Sequence, residues 1–515
     1  MPNMERATEV FILASALLPV VRVCCSGAFL LKLRAFPKIG VQLFVFFAVY
    51  ATIVTAAALY SPWMLRILAG IALLAIALDR WRARPSYGRA RGLPPGSLAI
   101  APIGPWVDQA DYLKRAARYG PVFKMNNFLQ PMVCVVGLKS GAELLRSHDG
   151  DLSVPPLPFE RYVPGGFIRY MAADEHRPLA ARLRAAISDA VIRDREPAMA
   201  RIAASEVQQL AKDSTANGAG IPPRPYLDRM VFAMFAEVFF AIDHQSGRLG
   251  ALRRCYSMIH YSRAWKTSPR RVEKNLRQIE ALVRAGWSVG RGRSFLSELS
   301  RGEPASNLDN NTLRNLIYLL LIASTDVTGL MHWVIKMVCD HPEWIQKLRD
   351  DPEPGEVARR IVRETLRLEQ SEYLIRQTRQ TIRWRDFVIP RGWFVRVCVR
   401  ESHHSRDVFE DPEKFDPDRF LGERSPASSE YSPLGISRIA CLGEQLTLTI
   451  GRILLTTVAN HFDLTATADG PREYGGFHWQ PSSRFRIRLT PVNRPGVATA
   501  RNAPIIDPNN DGLGG

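Results

Sequence analysis

The 515-residue sequence predicts a mainly α-helical body with a small β region, set behind an apolar N-terminal segment. Three observations carry that prediction. Apolar residues recur at helical spacing through most of residues 175–350, strand-like alternation is confined to short pieces near 122–136 and 381–399, and residues 41–60 run without a charge. The length exceeds one small domain, although a single large catalytic domain of about 400 residues is compatible with it.

The run at 41–60 (VQLFVFFAVYATIVTAAALY) is long enough to cross a ~30 Å hydrocarbon core as a helix. Residues 62–78, interrupted by Arg66, and 10–33, interrupted by Arg22 and Lys32, either span or lie at the interface. Residues 1–85 are therefore expected to form a membrane anchor of one to three helices. Apolar content continues well past the length of a signal peptide, so the anchor is expected to be retained. Arg80, Arg82, Arg84, Arg89 and Arg91 follow the last apolar stretch, and positive flanks stay cytoplasmic, which puts the remaining chain on the cytosolic side.

Residues 86–105 hold the breakers Gly92, Pro94, Pro95, Gly96 and Gly104-Pro105 and read as a hinge. The catalytic body is expected over 106–490, with a disordered tail at 491–515 rich in Pro, Asn and Gly. Within the body, 112–119 reads as a short helix stopped by Gly120-Pro121, and 122–125 and 132–136 read as paired strands. Helices are predicted near 177–187, 198–212, 225–240, 271–286, 313–341 and 356–368. Residues 309–312 would cap the long fifth one, and Pro342 would start its successor. Strands at 381–389 and 394–399 flank the turn Pro390-Arg-Gly392.

The excess of 68 Lys+Arg over 50 Asp+Glu, a net +18, suits nucleic acid, anionic lipid or an acidic protein partner. The basic residues are dispersed and lack an aromatic-interleaved module, which argues against nucleic acid. Seven cysteines, at 24, 25, 134, 255, 339, 398 and 441, form no C-x-x-C pair. Neither a zinc site nor a disulfide framework is implied, and a reducing compartment fits.

Glu364 and Arg367 lie three apart on a predicted helix, so both leave one face and can pair. Such pairs are common on helix surfaces; order is what distinguishes this one. It is followed by the segment 408–420 (VFEDPEKFDPDRF) and then by Cys441 in PLGISRIACLG, 433–443. In this order the chain resembles the cytochrome P450 family of haem-thiolate monooxygenases over about 92–490.

The resemblance implies a P450-like fold, a haem b (iron protoporphyrin IX) cofactor and Cys441 as its iron ligand. A thiolate ligand pushes electron density onto iron and favours O–O cleavage. It also implies a buried charge triad of Glu364, Arg367 and Arg419. His176 and Arg177 of the segment 174–182, Arg376 and Arg438 are the residues it offers to the haem propionates. On the long helix, Ala323-Ser-Thr-Asp-Val-Thr-Gly329 resembles the family's oxygen-activating segment, with Asp326 as the acid.

Two departures stand out. In the cysteine loop Leu434 replaces the aromatic residue, Ser437 the glycine and Ile439 the arginine, while Cys441 and Gly443 fit. In the long helix Val327 occupies the usual threonine position and Thr328 comes one residue late. One residue is about 100° of helix rotation, so Thr328 need not face the same point, although it and Asp326 are the residues the resemblance offers to a distal proton path. A substrate hydroxyl or ordered water could stand in for the missing alcohol, a radical path could need less proton control, or the site could perform isomerisation or dehydration.

The resemblance thus implies oxidation of a lipophilic small molecule, by hydroxylation, epoxidation or oxidative coupling, with dioxygen as oxidant. No G-x-G-x-x-G follows a strand, so electrons are expected from a separate donor, a ferredoxin or flavoprotein reductase. Two rival readings are a haem-thiolate isomerase or dehydratase and a non-catalytic membrane-tethered scaffold with a decayed haem site.

Overall fold

The computed structural model describes residues 92–492 apart from 99–107, 128–129, 156–162, 164–165, 260–267, 287–292, 301–307, 372–373, 437–439 and 475–477; upstream it describes only Trp63, Ile67, Gly70, Leu73, Leu74 and Ala77. The expected spans at 41–60 and 10–33, most of the hinge and nearly all of the tail lie outside the described residues. Trp63, Ile67, Gly70, Leu74 and Ala77 are helical, share one helical face and are exposed.

The body begins with α1 (Asp111–Tyr119), which stops at Gly120 and Pro121 as predicted. The predicted strand pair forms as β1 (Val122–Asn127) and β2 (Gln130–Val135), antiparallel from Val122↔Val135 to Asn127↔Gln130. An unforeseen helix α2 (Leu138–Ser147) and the short β3 (Leu152–Ser153) follow.

The helical layer comprises α3 (Ala173–Ala186), α4 (Asp189–Ala216), α5 (Arg224–Phe240), α6 (Gly247–Ile259), α7 (Pro269–Gly286), α8 (Phe295–Leu299) and α9 (Asn310–Asp340). The helix expected at 198–212 starts nine residues earlier and runs through Pro197. Proline removes one backbone hydrogen bond, yet Val191, Ile192 and Arg195 before it and Met199 and Ile202 after it are all buried, and packing on both sides holds the helix continuous. Asp309 caps α9 by accepting a 2.8 Å hydrogen bond from the backbone N–H of Thr312.

Next come α10 (Glu343–Arg349), preceded by Pro342, and α11 (Glu356–Leu368), which matches its predicted bounds. Beyond it lie β4 (Leu374–Thr378), β5 (Ile382–Trp384), β6 (Phe387–Ile389) and β7 (Phe394–Val397). The single strand expected over 381–389 is instead the β5–β6 hairpin, reversed at Arg385, whose φ is +53°. The main sheet has the order β1-β2-β7-β4-β3, with β2 and β7 parallel and the other neighbours antiparallel.

The chain then forms α12 (Val399–His403), α13 (Glu444–His461), β8 (Phe462–Ala468), β9 (Glu473–Tyr474), β10 (Trp479–Gln480) and β11 (Arg486–Pro491). The first predicted residue of the tail, Pro491, closes the β8–β11 pair. The largest apolar cluster joins α4, α5, α9, α11 and α13, and smaller clusters lie on the sheet. Among the described residues one helix, α9, is long and apolar enough to cross a membrane, and 67% of its apolar window is buried in this core. It is the axis of the fold.

Candidate haem-thiolate site

A single cavity brings Cys441 and the polar turn of α9 together. Its wall includes Ala323, Asp326, Val327 and Leu330 from α9, His176 and Ala180 from α3, and Leu434, Cys441, Leu442 and Leu446 around the cysteine loop. It encloses about 1300 Å³ of empty space including its open mouth.

The proximal wall is a tight backbone turn. Gly435 takes φ +98°, a conformation that side chains resist, and the Cys441 N–H donates to Leu434 O at 2.9 Å. The Gly443 N–H donates to Cys441 Sγ at 3.3 Å. Helix α13 starts at Glu444, so the sulfur also sits by the positive end of a helix dipole, which favours negative charge there. These are the backbone bonds that tune a thiolate ligand.

Behind this wall, Arg367 donates to both Glu364 oxygens at 2.8 Å, and both residues are fully buried. Arg367 also donates to His403 O at 2.8 Å and Pro412 O at 2.7 Å. Arg419 Nε approaches Glu364 Oε1 at 3.4 Å, an ion pair without hydrogen-bond alignment, while its Nη2 donates to Asp411 O at 2.7 Å. All three expected triad members therefore meet. A further brace was not foreseen: Ser432 N–H donates to His403 Nε2 at 3.2 Å, and His403 Nδ1 lies 3.0 Å from Ser371 Oγ. Burial, aided by Arg367, pushes the His403 pKa well below its usual value, so the neutral ring accepts at Nε2 and donates at Nδ1. This ties the end of α11 to the start of the cysteine loop.

On the opposite wall, Leu319, Ile322, Ala323, Asp326 and Leu330 face the cavity at helical spacing. Val327 joins them; Thr328 does not, being turned into the core with 1% exposure. The expectation that Thr328 serves the distal path is corrected by this rotation. Gln370, which no motif marked, donates from Nε2 to Asp326 O at 2.5 Å and lines the cavity beside it.

The propionate candidates divide. His176 is buried on the wall, whereas Arg177, one residue round the same helix, points outward and is exposed. Arg376 is buried within β4, donates to Ile375 O at 2.8 Å and is not on the cavity wall. Arg438 lies outside the described residues. Arg169, in a short 3₁₀ turn before α3, lines the cavity instead and left no sequence signal. A sulfur donor at a backbone turn, an apolar slot and basic groups on its wall fit haem.

A thiol and a polar helical turn facing each other across such a slot define a haem-thiolate enzyme. The comparisons agree: the cytochrome P450 family model matches residues 260–483. Abscisic acid 8'-hydroxylase 1 of Arabidopsis thaliana is 24% identical over 430 residues, covering 75% of this chain and 88% of that protein. Abscisic acid 8'-hydroxylase 2 of the same plant is 23% identical over 446 residues, covering 78% and 90%. The solved structure of retinoic acid bound cyanobacterial CYP120A1 superposes with a TM-score of 0.62 at 19% identity, covering 76% of this chain and 96% of that one. Residues 260–483 form a cytochrome P450 domain, and the chain is a cytochrome P450-type monooxygenase.

Proposed function

We propose that this protein hydroxylates a lipophilic carboxylic acid, using dioxygen and electrons from a separate ferredoxin or flavoprotein reductase. The observation that carries this reading is the shared cavity, with Cys441 on one wall and the Asp326–Val327 turn of α9 on the other. The named ligands of the relatives, abscisic acid and retinoic acid, are both lipophilic acids, which supports the substrate class. Haem b bound here would supply oxygen activation at an iron ligated by Cys441.

The chain's own residues divide the remaining work. His176 and Arg169 bind the acidic edge of the macrocycle. Leu319, Ile322, Ala323 and Leu330 exclude water from the reacting face. Asp326 holds a proton acceptor at the cavity, and Gln370 fixes the backbone of that turn through Asp326 O. The exposed helical face of Trp63, Ile67 and Leu74 supports membrane tethering.

The test is the spectrum of the reduced, carbon-monoxide-bound protein together with product analysis under labelled dioxygen. A thiolate-type spectrum that Cys441→Ala abolishes, with one labelled oxygen entering abscisic or retinoic acid, is expected. A histidine-type spectrum, or no haem, overturns the reading. Val327 on the wall and Thr328 off it favour a second reading, isomerisation or dehydration without net oxygenation. Product formed without NAD(P)H consumption would establish that alternative.

A further inference from the structure

A second cavity adjoins the first and shares Asp326, Gln370 and His478 with it. Unlike its neighbour it is faced by Arg224 and Arg229 from α5, Arg253 from α6 and His332 from α9. His332 is 4% exposed, and neither ring nitrogen has a hydrogen-bond partner among the described residues. Burial and the nearby Arg224 cation lower its pKa to about 3, so the ring is neutral, with one N–H to give and one lone pair to fill. Buried polar groups of this kind normally find a partner.

The surrounding charges leave donors to spare. Arg229 is engaged by Glu206 at 2.9 Å and lies over the Tyr226 ring. Arg224 spends one N–H on Gln480 Oε1 and keeps the rest of its fork. Arg253 has no hydrogen bond or ion pair among the described residues. Of the acids on this wall, Glu473 is bound by the Ser483 N–H at 2.9 Å and the Ser483 hydroxyl at 2.7 Å. Asp228 is exposed, and Asp326 stands at the junction between the cavities.

We propose that this polar cavity holds the carboxylate of the substrate, with Arg253 and Arg224 supplying charge-assisted hydrogen bonds and the neutral His332 ring a further N–H. An arginine fork matches a carboxylate in both geometry and charge. The apolar body of the ligand then passes Gln370 and Asp326 and ends against Ala323 and Val327, in the cavity that Cys441 closes. The inference rests on the lipophilic-acid reading and assigns the residues that read the acid.

The test uses the full-length haem-loaded protein and four probes, abscisic acid, retinoic acid and the methyl ester of each, with Kd read from the ligand-induced shift of the haem absorption band. The wild type is expected to bind an acid at least tenfold more tightly than its ester. R253Q and R224Q should each weaken acid binding about tenfold and leave ester binding within twofold, and R253K should restore part of the loss. Carbon monoxide spectra of the variants check that the haem site is intact. Equal binding of acid and ester by the wild type, or an acid preference that survives in the R224Q/R253Q double variant, overturns the assignment even if the acids are oxidised. Binding of none of the four probes to intact protein overturns the acid reading itself, and this site with it.

Discussion

At the scale of single residues, the buried ion set is where substitution should be felt most. Glu364 is fully buried, accepts from Arg367 and from the Asp416 N–H at 3.0 Å, and forms an ion pair with Arg419. Removing one member of a buried ion pair typically costs about 3–5 kcal/mol, because the other is left charged and unpaired. Arg367→Ala should therefore fail to retain haem and should lose stability of that order in chemical denaturation. His332 makes a pH prediction. Its folded pKa is near 3 against an ordinary 6.5, so the unfolded chain binds the extra proton between those values. Stability contributed by the neutral ring is complete above about pH 6.5 and falls as pH drops toward 3, by at most about 1.4 kcal/mol per unit. Ligand-free His332→Phe should flatten the difference in denaturation midpoint between pH 5 and 7; an unchanged difference would show that other groups carry it. Cys441 and the Glu364–Arg367 pair were legible because their order along the chain is distinctive. Arg169, Gln370 and His332 were not, since a lone polar residue says nothing about the cavity it faces.

At the scale of elements, α9 decides which hydroxyl can act. Its cavity-facing residues repeat with the helical period, and Thr328 falls outside that stripe. Val327→Thr should place an alcohol on the wall and raise the product formed per NAD(P)H consumed, whereas Thr328→Val should leave that ratio within about twofold. Helix α13 approaches α11 closely at Gly451, where an added Cβ would lie 2.4 Å from Val362 Cγ2. Gly451→Ala should destabilise the pair by about 1–3 kcal/mol through overpacking, measurable as a lower Tm. Helices α9 and α11 were readable because length, caps and periodicity agree. Helix α13 was missed because its Thr- and Ile-rich sequence (EQLTLTIGRILLTTVANH) has weak helix propensity, and its buried face against α4 and α11 supplies what propensity does not. Pro197 misled for the same reason.

At the scale of the whole molecule, the net charge of +18 and the apolar N-terminal segment fit a basic catalytic body held at a membrane. A chain starting at residue 86 should partition to the soluble fraction while keeping its carbon monoxide spectrum; loss of haem in that variant would show that residues 1–85 contribute to the body. The long apolar α9 would pass a length-and-hydropathy test for a membrane span, yet it is the core axis. Only its neighbours distinguish the two cases, because lipid and a protein interior ask for the same side chains.

The sequence by itself determined the mainly helical class, the cysteine that faces the cavity, the acidic partner of the buried arginine and the missing threonine. Each is a local pattern or an order along the chain, and survives without coordinates. The tertiary structure alone decided that His176 and not Arg177 faces the slot, that Thr328 turns away from it, and that arginines from α5 and α6 share a chamber with a buried histidine of α9. Those outcomes depend on the rotation of a helix about its axis and on contacts between segments far apart in the chain, which packing fixes and a linear pattern does not.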